Sequence, residues 1–367
     1  MFQRRKSKQI QIGPVKIGGD APVSIQSMTN TDTRDAAATL AQIRELVSAG
    51  CEIVRVTVPD EAAVAALPEI LAGSPLPVIA DIPFDYRLAL GSIRAGVHGV
   101  RLNPGNIGSA EKVRAVAEAA GEAGIPIRVG ANSGSLPKGM AAANRAAGMS
   151  HDEAIAHALT DAAMEQVKLL EQYSFRNLKV SLKASSVPVT VAAYRLFAER
   201  SDYPLHLGVT EAGTAFRGAV KSAIGIGSLL LDGIGDTIRV SLSAPPVEEI
   251  RAALAILESA GLREAAPELV SCPTCGRTNW DLISMVGRVE RLIAEIRSSG
   301  KRITLRKVAV MGCAVNGPGE ASDADLGIAG GNRKGELLIF RNGSPVAVFP
   351  EAEAFAFLKK ELLDSAR

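Results

Sequence analysis

Eight short apolar segments recur between residues 23 and 242, and each is followed by an Ala/Leu/Glu-rich stretch with helical spacing. They are VSIQSM (23–28), CEIVRVTV (51–58), PVIADI (77–82), GVRLN (99–103), IPIRVGAN (125–132), LKVSLKA (178–184), LHLGVTE (205–211) and TIRVSL (237–242). Strands covered on both faces read as near-continuous apolar runs, and amphipathic helices such as AATLAQIRELVSAG (37–50) supply the cover. Eight βα units in succession predict an α/β fold whose N-terminal part is a closed (β/α)8 TIM barrel; a doubly wound open sheet is the rival. QIQIGPVKIGG (9–19) reads as a hairpin ahead of the first barrel strand.

After residue 242 the pattern changes to a helix and a Pro-marked connection (243–268), which predicts a barrel over 1–265 and a small α+β domain over 266–367. The second domain reads as a strand into SCPTCGR, a helix (279–299), a strand KVAVMGC (307–313), a hairpin and a closing helix. Arg341-Asn342-Gly343-Ser344 joins the hairpin strands GELLIF (335–340) and PVAVF (345–349), and Asn-Gly is a strong hairpin signal. With 41 Lys+Arg against 39 Asp+Glu the chain is nearly neutral, and 47% hydrophobic residues suffice for a core. That balance argues against nucleic acid or a membrane surface as partner. No apolar run approaches the roughly 18 residues of a membrane span, and MFQRRKSKQI has no hydrophobic stretch behind its basic residues, so a cytoplasmic location is expected.

Four cysteines, Cys51, Cys272, Cys275 and Cys313, are too few for a disulfide scaffold in a chain of this size. Cys272 and Cys275 form a C-x-x-C turn ahead of a helix whose Thr278-x-x-Asp281 resembles a capping box, and a helix N-terminus favours thiolates. Cys313 ends an apolar strand and opens the loop Cys-Ala-Val-Asn-Gly-Pro-Gly-Glu. Structural zinc asks for four ligands, yet His98, His151, His157 and His206 all lie in the barrel half, and Cys51 opens a barrel strand at its wrong end. Three thiolates without a fourth soft ligand suit an iron–sulfur cube with one unusual corner, and zinc stays open as the alternative. Glu320 is the candidate for that corner, with Asp323 and Asp325 as competitors.

Polar residues gather near the C-terminal ends of the predicted strands with a bias in sign. Arg55, Arg101, Arg128, Lys183 and Arg239 converge on the barrel mouth, together with Asn103, Asn132 and Ser241. Cations so placed in a nearly neutral chain imply an anion, most economically a phosphate or diphosphate held by forked guanidinium contacts. The turn Asn132-Ser133-Gly134-Ser135 offers further N–H donors. Glu211 is the carboxylate expected among them, able to give or take a proton. His206 reads as a satisfied structural histidine, and Met28 and Met311 as core. Neither a G-x-G-x-x-G after a strand nor a Walker loop is present, so redox work would draw electrons from another protein. Two other functions share this pattern: a phosphate-binding barrel lyase or transferase with structural zinc, and a non-catalytic iron–sulfur sensor.

Six phrases, IQSMTNTDT (25–33), VRLNPGNIG (100–108), LHLGVTEAG (205–213), DGIGDTIRVSL (232–242), SCPTCGR (271–277) and MGCAVNGPGE (311–320), together resemble the 4-hydroxy-3-methylbut-2-enyl diphosphate synthases. That family comprises flavodoxin- or ferredoxin-dependent enzymes of the non-mevalonate isoprenoid pathway, and the similarity to its two-domain bacterial form covers nearly the whole chain. The resemblance implies a [4Fe-4S] cluster on Cys272, Cys275, Cys313 and an exchangeable Glu320. It implies a diphosphate site lined by Arg55, Arg101, Arg128, Asn132, Lys183, Arg239 and Ser241, with Glu211 as acid/base. The implied reaction is reductive opening and dehydration of 2-C-methyl-D-erythritol 2,4-cyclodiphosphate, in a homodimer whose cluster domains cap the partner barrels. This chain departs from the family where Pro83 follows Asp81-Ile82 in place of the usual histidine.

Overall fold

Alternation along the barrel strands divides their side chains between two environments. The computed structural model describes residues 3–103, 107–136, 139–264, 267–314 and 317–367. In the first unit, Met1–Arg263, a short hairpin of β1 (Ile10–Ile12) and β2 (Val15–Ile17) precedes eight parallel strands. These are β3 (Ser24–Met28), β4 (Ile53–Thr57), β5 (Val78–Asp81), β6 (Gly99–Arg101), β7 (Ile127–Asn132), β8 (Leu178–Lys183), β9 (His206–Leu207) and β10 (Thr237–Ile238). The sheet order is β8-β7-β6-β5-β4-β3-β10-β9, and a parallel bridge between Val180 and Leu205 joins its two ends into the ring of a TIM barrel.

Outward-facing Ile25, Val54, Val56, Ala80, Val100, Val129, Val180 and Leu207 form one apolar core with the surrounding helices. The helix Ala36–Ala49 shows how local sequence makes that cover. Asp35 caps it by accepting from the Ala38 N–H, Thr39, Leu40, Ile43 and Leu46 are buried, and Gly50 ends it at φ 101°, a conformation only glycine adopts without strain. At the base of the barrel, Ile53 and Ile79 pack against Ile10, Ile12 and Ile17, so the hairpin stoppers that end. The inward residues above this plug are polar, whereas such barrels usually fill with aliphatic layers.

Two strands are shorter than the expected 205–211 and 237–242. Beyond Leu207 and Ile238 the chains remain joined by the Arg239 N–H to the Leu207 carbonyl at 3.0 Å. On the helix Ala215–Leu231, Phe216, Val220, Ile224 and Leu231 are all exposed, and the first three recur at helical spacing on one face. Among the described residues, no helix is long and apolar enough to cross a membrane.

The second unit, Glu264–Arg367, is a mixed sheet of β11 (Glu268–Ser271), β12 (Lys307–Met311), β13 (Leu326–Gly330), β14 (Glu336–Arg341) and β15 (Ser344–Pro350), paired in that order. The boundary expected at residue 265 lies outside the described residues. Strands β11 to β13 run parallel, so their C-terminal ends share one edge; β14 and β15 are antiparallel. Asn342 (φ 48°) and Gly343 (φ 74°) both take the left-handed conformation, as a type I′ hairpin turn requires. The helices Leu282–Ser298 and Glu351–Asp364 pack their apolar sides onto the sheet through Met285, Val289, Leu358 and Leu362.

Candidate active site

Arg55, Asp81, Arg128 and Lys183 are buried at the upper, C-terminal half of the barrel, and Arg101 lies half-buried beside them. Register places Arg101 between Asp81 and Arg128 on neighbouring strands, which brings their side chains to one side. Asp81 accepts from Arg101 Nη1 at 2.9 Å and stands 3.4 Å from Arg55 Nε. Burial pushes the Asp81 carboxyl up, but Arg55, Arg101 and Arg128 outweigh it and hold the group below the usual carboxylate range. Burial brings Arg55 down to about 10 despite Asp81. Arg128 falls well below its ordinary value through burial first and then through Arg55 and Arg101, and Lys183 does so through burial and then Arg128, Arg239, Arg55 and Arg101. One carboxylate amid these cations leaves the mouth ready for an anion.

Arg239 and Ser241 complete the ring. Arg239 donates to Ser241 Oγ and lies 3.2 Å from Glu249, a buried carboxylate on the helix Pro246–Ser259 that also accepts from Ser27 Oγ (3.2 Å) and the Leu242 N–H (3.0 Å). Asn132 stands half-buried at the end of β7. Gly208 leaves room for Lys183: a Cβ there would come within 2.9 Å of Nζ. Glu211 occupies an exposed loop with φ 52°, a left-handed backbone that costs a non-glycine residue about 1–3 kcal/mol. Among the described residues no hydrogen bond or ion pair holds its carboxylate, so the structure does not tie it to the cations.

Beneath this ring lies a second polar layer. Lys179 is 1% exposed, and its Nζ reaches Thr237 Oγ1 at 3.4 Å, which also receives the Ser24 hydroxyl at 3.0 Å. His206, expected to be satisfied, is fully buried with neither ring nitrogen partnered among the described residues, and the Gln26 amide is likewise unmet. Burial, then Arg128, Lys183, Lys179 and Arg55, drive the His206 imidazole well below its ordinary value, so it is neutral. Met28 is no plain core residue either, since its sulfur receives Arg55 Nη2 at 2.9 Å. Sequence reasoning missed Lys179, although a strict period of two through LKVSLK puts Lys179, Ser181 and Lys183 on one face. Glu249 gave no comparable signal, because helix periodicity does not disclose which acidic residue turns inward.

In the second unit the three cysteines are free thiols at or near the shared edge of β11 and β12. Cys272 Sγ accepts from the Gly312 N–H at 3.1 Å, and Trp280 Nε1 donates to the Gly312 carbonyl at 3.1 Å. A Cβ on Gly312 would fall 2.5 Å from Thr278 Oγ1, so only glycine lets the two cysteine loops meet. Thr278 is no helix cap; its hydroxyl accepts from the Cys275 N–H, and the helix begins later, capped by Asp281 through the Ser284 N–H. Hydrogen bonds from Arg277, backbone first and then side chain, lower the exposed Cys275 thiol. Arg277 in turn is raised by Cys275, Cys313 and Glu320. Asp323 is paired with Lys307 at 2.6 Å, Asp325 accepts from the Arg306 N–H at 2.6 Å, and exposed Glu320 acts on the same Arg277 as Cys275 and Cys313. Among the described residues no three Cys, His, Asp or Glu side chains converge closely enough to hold a metal as placed.

Residues 7–254 match the GcpE TIM-barrel domain, and residues 268–364 match the GcpE protein C-terminal domain. The chain belongs to the GcpE family. Its relatives include the 4-hydroxy-3-methylbut-2-en-1-yl diphosphate synthase (flavodoxin) of Geobacter sulfurreducens, 54% identical over 350 residues and covering 95% of each chain. The protein of the same name from Dehalococcoides mccartyi is 52% identical over 362 residues, 99% of each chain. A dihydropteroate synthase from Coxiella burnetii is 9% identical with a TM-score of 0.49, over 70% of this chain and all of that one. The GcpE barrel thus carries the cation ring, and the GcpE C-terminal domain carries the cysteine edge.

Proposed function

We propose that this chain is a flavodoxin-dependent 4-hydroxy-3-methylbut-2-en-1-yl diphosphate synthase, which opens 2-C-methyl-D-erythritol 2,4-cyclodiphosphate with two electrons and loss of water. The observation that carries the reading is the excess of buried cations at the barrel mouth, which a diphosphate neutralises. Arg55, Arg101, Arg128, Lys183 and Arg239 bind the two phosphates, and Asn132 and Ser241 donate hydrogen bonds that fix their rotation. Asp81 holds Arg55 and Arg101 in place for this task. Glu211, on its strained exposed loop, protonates the departing hydroxyl from its carboxyl oxygen.

Cys272, Cys275, Cys313 and Glu320 hold a [4Fe-4S] cluster, with the carboxylate as the exchangeable ligand. The chemistry of the donor set fits: three free thiols, one of them with lowered basicity, and an exposed carboxylate that acts on the same Arg277 as Cys275 and Cys313. When bound, the cluster supplies one-electron transfer and a Lewis-acidic iron. Reduced flavodoxin, with ferredoxin as substitute, delivers the electrons in the cytosol. The enzyme is a homodimer in which each cysteine domain caps the partner's barrel, and the exposed stripe of Phe216, Val220 and Ile224 supports a contact between copies.

Anaerobic purification tests the reading. Brown protein with near-stoichiometric iron and sulfide, turning over the cyclic diphosphate with reduced flavodoxin, is the expected result. Colourless protein with one zinc, or a cluster without turnover, rejects it. Mixing Cys313→Ala with Arg128→Ala protein should restore part of the activity in heterodimers, and verified heterodimers without activity would reject the shared site.

A further inference from the structure

The second polar layer of the barrel has no part in the roles assigned above, yet burying it carries a desolvation cost. Counting inward from the mouth, the cations Arg55, Arg101, Arg128, Lys179, Lys183 and Arg239 outnumber the carboxylates among the described residues that pair with them or act on them, Asp81, Glu249 and Asp236, and most of these groups are buried. Lys179 is the deepest. Arg128 and Arg55 act on it from β7 and β4, Lys183 stands four residues along its own strand, and His206 on β9 is the register partner of the Thr237 that Lys179 touches. Asp236 lies on the far side and is already engaged by Arg4 at 3.2 Å, Arg5 at 3.9 Å and the Leu205 N–H at 2.8 Å. The single Thr237 contact leaves the rest of the ammonium donors unmet.

A sealed interior with this surplus sheds charge through its lysines, because an arginine keeps its proton under almost any condition. We propose that Lys179 is a positioning residue for the diphosphate: it stands neutral in the empty barrel and takes a proton from solvent when the anion binds above it, so that substrate entry is coupled to proton uptake. The proton passes onto the Nζ lone pair, and no bond of the substrate changes. Burial and then Arg128 and Arg55 depress the Lys179 ammonium, and Lys183 is depressed in the same way, which agrees with this assignment. Two phosphate charges placed over the ring oppose those cations and restore the basicity of the lysine beneath. Neutral His206 beside it accepts a hydrogen bond from the ammonium so formed, which would meet one of its idle nitrogens.

The inference rests on the diphosphate reading of the mouth, and calorimetry separates the two. Holoenzyme without reductant is titrated with the cyclic diphosphate near pH 8 in HEPES and in Tris, whose ionisation heats differ. The expected result is uptake of roughly one proton per diphosphate, with affinity falling by up to about tenfold per pH unit across the window between the free and bound basicities. Lys179→Met should lose at least half of the uptake while melting no lower than wild type, since in the free protein it replaces a buried, under-bonded amine by an apolar side chain of similar length. Lys179→Arg, charged throughout, should flatten the pH dependence. Binding with equal heats in both buffers, or uptake unchanged in Lys179→Met, overturns the proposal and leaves the diphosphate reading standing. No binding heat in either buffer overturns both.

Discussion

Gly208 lies against the tip of Lys183: an added Cβ would meet Nζ at 2.9 Å and the Arg239 carbonyl at 2.7 Å. Glycine at this point is therefore a condition for the buried ammonium to reach the mouth. Gly208→Ala should push Lys183 aside and weaken diphosphate binding by roughly 10–100-fold, the worth of one charge-assisted hydrogen bond. Because the second neighbour is backbone, a stability loss of about 1–3 kcal/mol should accompany it. Calorimetric titration and thermal melting read the two effects separately.

Asp81 is the carboxylate that both Arg55 and Arg101 touch. Asp81→Asn keeps the shape and removes the charge, so the free enzyme should lose about 3 kcal/mol. The folded-state carboxyl is depressed, so its contribution is fully present above the unfolded value of about 4 and is lost as pH falls through the folded value. Denaturant titrations of both proteins should differ by the full amount at neutral pH and converge only in acid. A gap that closes between pH 6 and 8 would contradict this account.

Glu320 is exposed at the end of the short helix Gly317–Glu320, whereas Asp323 is paired with Lys307. Glu320→Ala should leave the melting temperature of the iron-free protein nearly unchanged and lower iron retention after anaerobic reconstitution. Asp323→Ala, which breaks an exposed, solvent-screened ion pair, should retain wild-type iron. The reverse pattern would move the fourth ligand to Asp323.

Phe216 and Ile224 present large apolar surfaces to solvent, 80% and 58% exposed. If a second copy covers them, Phe216→Glu with Ile224→Lys should shift sedimentation from dimer to monomer without unfolding the barrel, because neither side chain belongs to its core. A doubly substituted protein that sediments as wild type does would place the contact elsewhere.

The barrel was legible because each strand had to be apolar on its helix-facing side, and that demand is written into Val54-Arg55-Val56 and Leu178-Lys179-Val180 alike. The mouth cations followed from the same alternation. What escaped was the depth of the polar interior: Lys179 and His206 look like ordinary strand residues until Thr237 and Arg128 are brought round to face them. At the cysteine edge, residue spacing suggested a helix cap at Thr278, yet that hydroxyl turns back to Cys275. The reason is local competition: a threonine side chain satisfies a loop amide as readily as a helix amide. Gly312 carried no signal of its own, since its need for a missing side chain arises only when the loop after β11 lies across it.

The isoleucine stopper formed by Ile10, Ile12 and Ile17 with Ile53 and Ile79 has a kinetic meaning. A well closed at its base has one doorway, so an outgoing ligand must vacate before the next one enters, and no solvent can sweep through from behind to hasten departure. A diphosphate bound as proposed would leave through that doorway, past the guanidinium groups at the mouth.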